Sequence, residues 1–352
     1  MSPERLGPAL AAMKSTIRPS TPADAPAIGA LFAERGMRHY LDPQFLNWKY
    51  WQPRNDWPGT RSFVLARDTE LTAHAAIVPG ACVWAGRRVA MIQMIDWAAR
   101  AGSGAGASLL KYLGRMTQML LAVGGGAETL SILPHLGFRR VGTVSIHARP
   151  LFPLRLLRGG AKWQLLPKLA RASWRRSPPA APGGAWRSRR LAGDDILEIS
   201  SVLPRPADDT AVTERSVGLF RYALSCPSFP LQLHAVEQAG RVRGYFLLVS
   251  VAGQIRIADY WIDSPESSDW RALILCAVAQ AQHDPHAAEV VAWASDALLA
   301  GALRACGFYP RFEYPIQVRA AASDAMPAGS LRVQMLDNDA AYLWEGHDEY
   351  WG

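Results

Sequence analysis

The stretch "IDWAARAGSGAGASLLKYL" (95–113) decides how this chain folds. An apolar run ends at Asp96, a loop with glycines at 102, 104 and 106 follows, and an apolar helical pattern then begins. A strand that passes through glycines into a helix exposes unpaired backbone N–H groups at the positive end of the helix dipole, where phosphates bind. The same spacing also serves tight turns, so the motif alone leaves both readings open. A Walker loop is excluded because no Gly-Lys-Ser/Thr ending is present. The dinucleotide fingerprint needs its unit near the start of a parallel βαβ series, and here several strands come first.

Upstream of the loop, "RSFVLARD" (61–68), "LTAHAAIVPGACVW" (71–84) and "RVAMIQMIDWAA" (88–99) predict three successive strands. Before them, "STIRPSTPADAPAIGALFAERG" (15–36) predicts a short strand, a proline turn and an amphipathic helix opened by Thr21 or Asp24. Downstream come a helix over 106–118, a strand at 118–124, a helix at 127–137 and a strand at 138–148. Strands first and β-α-β-α-β afterwards give an α/β (α+β) fold, a mixed central sheet with helices on both faces.

The second half repeats this order. Strand-like segments at 231–238, 243–251 and 254–263 precede a helix at 269–282, a strand at 288–295, a helix at 297–307 and a strand at 312–319. Asp96 lies 163 residues before Asp259, and Gly137-Phe138 lies 170 before Gly307-Phe308, so the chain reads as an internal duplication. A further strand and turn at 331–344 close it. The expected division is an N-terminal domain over 1–148, a basic linker containing Pro and Gly over 149–190, and a C-terminal domain over 191–352.

Bulk properties agree with two folded domains. The chain has 352 residues, of which 49% are hydrophobic and 19% charged, which excludes global disorder. No apolar run reaches eighteen residues and the first residues do not resemble a signal peptide, so a cytoplasmic location is expected. Cys82, Cys226, Cys276 and Cys306 are widely spaced and lie near no His cluster, so neither a metal site nor a disulfide framework is expected. The net charge of +8 is concentrated: 149–190 holds eleven Lys or Arg and no Asp or Glu, and the remainder is net acidic. Within it, 150–176 alternates leucines and tryptophans with basic residues. That composition fits a helix on an anionic membrane surface, which would place the protein at the inner face of the membrane, or leucines packed between two domains. Its aromatics are not interleaved as in a base-stacking platform, which argues against nucleic acid.

The order of elements over Ile17–Ala148, with "IRPSTPADAPAIGALF", "AGSGAGASLL" and "LPHLGFRRVG", resembles the GNAT acyltransferase superfamily. The resemblance implies that strands four and five splay apart to admit acetyl-CoA or another acyl-CoA. It also implies that amides of the following loop clasp the pyrophosphate. Ala98, Arg100, Gly102, Ser103, Gly104, Ala105 and Gly106 are the expected cofactor-binding residues. Ala101 falls where the family has Arg or Gln, with Arg100 one residue earlier as a substitute, and Leu133 falls where members often carry a tyrosine acid. Asp96 and His135 are the expected catalytic groups, and Trp48, Tyr50 and His74 the expected substrate contacts. "FLNWKY" (45–50) resembles a GNAT-like group associated with exopolysaccharide and cell-envelope gene clusters. In the second half, "DSPESSDWR" (263–271) replaces the glycine loop with three carboxylates, which would repel a pyrophosphate. One cofactor site, in the first domain, is therefore expected. The implied function is acyl-CoA-dependent N-acyl transfer to an amine of a small molecule or amino sugar. A non-catalytic binding or scaffold protein, or an aminoacyl-tRNA-dependent peptidoglycan-type transferase, are the alternatives.

Overall fold

The first strands form where the apolar runs of the sequence place them: β1 (Ser15–Pro19), β2 (Ser62–Arg67), β3 (Glu70–Trp84) and β4 (Arg87–Ala99). The computed structural model describes residues 15–37, 42–57, 59–68, 70–152, 183, 185–206, 210–251, 253–321 and 329–342. The membrane-surface reading of 150–176 and the Pro/Gly stretch 177–184 fall, except for 150–152 and 183, outside the described residues. After β4 come the glycine loop, the helix Ala105–Leu113, β5 (Met119–Val123), the helix Ala127–Ile132 and β6 (Arg139–Pro150). The second half contributes β7 (Trp186–Arg190), β8 (Thr210–Thr213), β9 (Leu231–Gln238), β10 (Arg241–Val251), β11 (Gln254–Ile262), β12 (Glu289–Ala294), β13 (Tyr309–Ala320) and β14 (Ser330–Arg332). Thr21 and Asp24 do open the first helix: the Thr21 amide donates to Asp24 Oδ2 at 2.8 Å, and the helix runs over Ala25–Glu34.

The two halves share one sheet. Its order is β1-β2-β3-β4-β5-β13-β6-β12-β11-β10-β9-β7, with β8 and β14 attached at β3. The last strand of each half is exchanged. β13 pairs antiparallel with β5, β6 pairs antiparallel with β12, and the two exchanged strands pair with each other. The largest apolar cluster accordingly mixes Met119, Val144 and Ile146 with Leu233, Tyr260 and Trp293. A second cluster packs Ile92, Leu109, Leu113 and Leu133 beneath the helix Ala105–Leu113.

The segment 149–190 is not all linker. Trp186–Arg190 is strand β7, an edge strand on β9. Its outward arginines read as a charge run, yet Arg189 pairs with Glu198 and, at 3.1 Å, with Glu237 of β9. "FLNWKY" is helical, a turn over Pro43–Leu46 that widens to a π turn at Asn47–Trp51 and is capped by the Asp42 carboxylate. It packs on the helix Val217–Leu224, so it bridges the halves.

β4 and β5 pair only over Met91–Gln93 with Met119–Leu121; beyond that β4 continues to Ala99 without β5 as a partner. This parting opens directly beneath the glycine loop. The equivalent parting of β11 from β12, after Ile257 and Ala292, is closed by the Tyr260 hydroxyl donating to Trp293 O at 2.7 Å, among buried Trp270 and Trp293. Among the described residues, no helix is long and apolar enough to cross a membrane.

Candidate active site

The loop between β4 and its helix is held by its own hydrogen bonds. Ser103 Oγ donates to Arg100 O at 2.7 Å and accepts from the Ala105 amide at 3.2 Å. Gly102 and Gly104 have φ of +67° and +65°, a region that costs a side-chain-bearing residue energy. Gly106 is required for a different reason. A Cβ there would stand 3.0 Å from Ala99 Cβ and 3.2 Å from Trp97 Nε1, so only glycine lets the helix start this close to β4. The first helical bond runs from the Ser108 amide to Gly104 O, which leaves the Gly106 and Ala107 amides pointing out of the first turn, as in an anion site.

Arg100 faces carboxylates of the first half. Its guanidinium is paired with Glu70 and, at 3.3 Å, with Glu34. The guanidinium that touches the loop is Arg67, which donates to Ser103 O at 2.6 Å.

Asp96 sits where the pairing of β3 with β4 slips, between His74–Ala98 and Ala76–Ile95. Its φ is +49°. Such a bulge re-aims a side chain, and here the carboxylate turns toward the π turn. Asp96 Oδ2 accepts from the Tyr50 hydroxyl at 2.6 Å and from Lys49 Nζ at 2.6 Å. Lys49 Nζ also meets Asp339 Oδ2 at 2.9 Å, so a residue from the far end of the chain completes the cluster. Burial opposes the Lys49 ammonium, but the two carboxylates outweigh it and its pKa rises. Burial raises Asp339 to about 6 despite Lys49, with the Asp96 charge adding to the rise. Burial and then Asp96 push Tyr50 well above the ordinary phenol value, so it remains a proton donor.

The second half carries a counterpart. Arg215 bonds Asp259 and Asp337, each at 2.7 Å, and the Tyr245 hydroxyl donates to Asp259 at 2.8 Å, again where the pairing of β10 with β11 slips. The tail segment that delivers Asp339 to one cluster thus delivers Asp337 to the other.

Of the expected site residues, Asp96, Tyr50 and His74 are brought together, and Ala98 lies buried two residues along β4. His74 is 0% exposed, its Nδ1 bonded to Asp96 O and its Nε2 to Ser62 Oγ, so it braces the bulge. Trp48 is 1% exposed, stacked on Tyr222 at 4.8 Å, and each of the two donates to the other's carbonyl. It clasps the two halves together and also lines the small cavity beside Lys49 and Arg61. His135 is exposed in the turn Leu133–Leu136, and no described contact joins it to Asp96. Leu133 is fully buried in the core beneath the glycine-loop helix.

No protein-family model matches the sequence, and no curated protein matches it. Solved structures do match. A GCN5-related N-acetyltransferase from Anabaena variabilis aligns over 89% of this chain and 74% of its own at 12% identity, TM-score 0.58. N-myristoyltransferase from Saccharomyces cerevisiae with bound myristoyl-CoA aligns over 94% of this chain and 84% of its own at 14% identity, TM-score 0.60. The chain has the GNAT fold. A third match, the GCN5-related N-acetyltransferase from Kribbella flavida, covers 89% of this chain and 72% of its own at 14% identity, TM-score 0.55. In the GNAT fold described here, the parting of β4 from β5 and the glycine loop at its mouth belong to the first half.

Proposed function

We propose that this chain is an acyl-CoA-dependent N-acyltransferase whose cofactor site is the first-half parting and whose acceptor is an amine of a small molecule or sugar. The observation that carries the reading is the coincidence of three features: strands that separate after Gln93, a helix start with outward amides at the mouth, and a turned carboxylate, Asp96, on the opening. In this reading the Gly106 and Ala107 amides take the pyrophosphate, with Arg67 supplying the positive charge that Arg100 does not. The second-half parting, bridged by Tyr260 and Trp293, takes no cofactor in this reading. Asp96 takes the proton released when the amine attacks the thioester carbonyl, the carbon–sulfur bond breaks, and that proton passes to the departing thiolate to give the free thiol. Lys49 and Tyr50 hold that carboxylate in place. Titration calorimetry with CoA, acetyl-CoA and myristoyl-CoA tests the reading. The wild type binds, and Gly104→Glu loses binding because it adds bulk and a like charge. Equal affinity in a folded Gly104→Glu protein moves the site elsewhere. Release of thiol on adding amines, lowered more than CoA affinity by Asp96→Asn, identifies the base. Salt-sensitive pelleting with anionic liposomes is the corresponding check on the connector 150–176.

A further inference from the structure

Arg61 is 2% exposed and has no carboxylate partner among the described residues. Its Nε donates to Lys49 O at 3.1 Å and its Nη2 to Trp48 O at 2.5 Å, while Nη1 meets no described acceptor. A guanidinium stays charged in a protein, so a full positive charge is buried against two carbonyls and a ring. The ring is Tyr222, 4.8 Å from the Arg61 guanidinium and 4.9 Å from that of Arg54. Arg54 is neutralised by a two-pronged contact with Asp56 at 2.9 and 2.5 Å, whereas Arg61 is not. Arg61, Arg54, Lys49, Tyr222 and Tyr342 line a cavity of about 20 Å3. That exceeds the roughly 10–15 Å3 that one water needs, so an oxygen-sized group fits. Lys49 lines this cavity and reaches Asp96 at 2.6 Å, so the buried cation and the turned carboxylate are one side chain apart.

We propose that this cavity is the inner end of the acceptor pocket and that Arg61 binds a carboxylate carried close to the acceptor's amine, which makes the acceptor an amino acid or a similar amino-carboxylate. The inference rests on the transferase reading above. A guanidinium meets carboxylate and phosphate oxygens equally well in geometry, but space for one oxygen-sized group admits one oxygen of a planar carboxylate and not the tetrahedral array of phosphate oxygens. With the carboxylate on Arg61, the amine is held toward Asp96, the group that accepts its proton. An acceptor without the anion leaves Arg61 uncompensated, a stronger rejection than the loss of one apolar contact.

The test uses the full chain saturated with CoA, with CoA binding first measured by calorimetry. Probes are the common amino acids, their carboxamides, and phosphoethanolamine, each scored by thermal shift and by titration. The expected result is at least one amino acid that binds tenfold or more tighter than its carboxamide. In Arg61→Gln that preference disappears while CoA affinity is retained. Carboxamides that bind as well as the acids, phosphoethanolamine that outcompetes every acid, or no response to any acid by a protein that binds CoA each overturn the proposal. If Arg61→Gln does not fold by circular dichroism, the acid–carboxamide comparison in the wild type still decides. Absence of CoA binding overturns the transferase reading instead, and is recognised before any amino acid is added.

Discussion

Replacing Lys49 by Met removes the cation that two buried carboxylates share. Side-chain exposures are 1% for Lys49, 7% for Asp96 and 9% for Asp339, and the contacts are 2.6 and 2.9 Å long. At an effective dielectric of about 20, each contact near 3 Å represents roughly 5–6 kcal/mol of attraction. Desolvation of the ammonium offsets most of that in the intact protein, but deleting one partner strands the others, at a typical cost of about 3–5 kcal/mol. The loss depends on pH, and its sign follows from Asp339. Its folded pKa of about 6 already exceeds the ordinary aspartate value, and without Lys49 burial and the Asp96 charge raise it further. A raised carboxyl favours the folded state below the unfolded pKa, and that contribution is lost as pH rises through the folded value. Urea unfolding followed by circular dichroism therefore shows a loss of about 3–5 kcal/mol at pH 8 and a smaller one at pH 5. Lys49→Met combined with Asp339→Asn recovers part of the deficit at pH 8. A loss below about 1 kcal/mol, or the same loss at both pH values, refutes the reasoning, because it means that water or movement of the tail compensates the charges.

Gly106→Ala drives a methyl to within 3.0 Å of Ala99 and lowers stability by about 1–3 kcal/mol in urea unfolding, whereas Gly104→Ala meets no atom and costs only its positive φ, about 1–2 kcal/mol. Burial raises the thiols of Cys82 to about 12 and of Cys276 and Cys306 to about 11. These three therefore stay unreactive to a disulfide reagent at pH 8 until the chain unfolds, and labelling followed by peptide mapping checks this. Glu289 is fully buried and raised to about 7, so the folded state holds a proton that the unfolded chain loses, and stability falls as pH climbs from about 4.5 through 7. Glu289→Gln flattens that slope in a stability-against-pH series while costing stability throughout, because Arg311 loses its carboxylate.

Much of the fold was legible because it is written in local periodicity. The strands β2 to β6 and β9 to β13, the helix after the glycine loop and the duplication each follow from neighbouring residues, and the offset between Asp96 and Asp259 even aligns two buried clusters. Arg67 was missed because it lies in a strand before the loop and reaches Ser103 O only through the pairing of β1 to β4. β7 was missed because an edge strand with outward arginines carries the same letters as a solvated linker.

What the sequence determines by itself is the set of strands and helices and the glycine positions, since φ angles and alternation are properties of adjacent residues. Only the tertiary structure decides which strands are neighbours. The exchange of β6 and β13 depends on long-range pairing free energies, and no period in the sequence encodes a partner. The same holds for the candidate site. Asp96 and Tyr50 stand in segments that the reading of the chain singled out, but Asp339 lies 290 residues from Lys49 and becomes its partner only through burial. Trp48 is enclosed because the second half supplies Tyr222 and Tyr342 against it, whereas His74 is enclosed within the first half by Phe32, Tyr50 and Ser62, and removing apolar and aromatic area from water favours both closures.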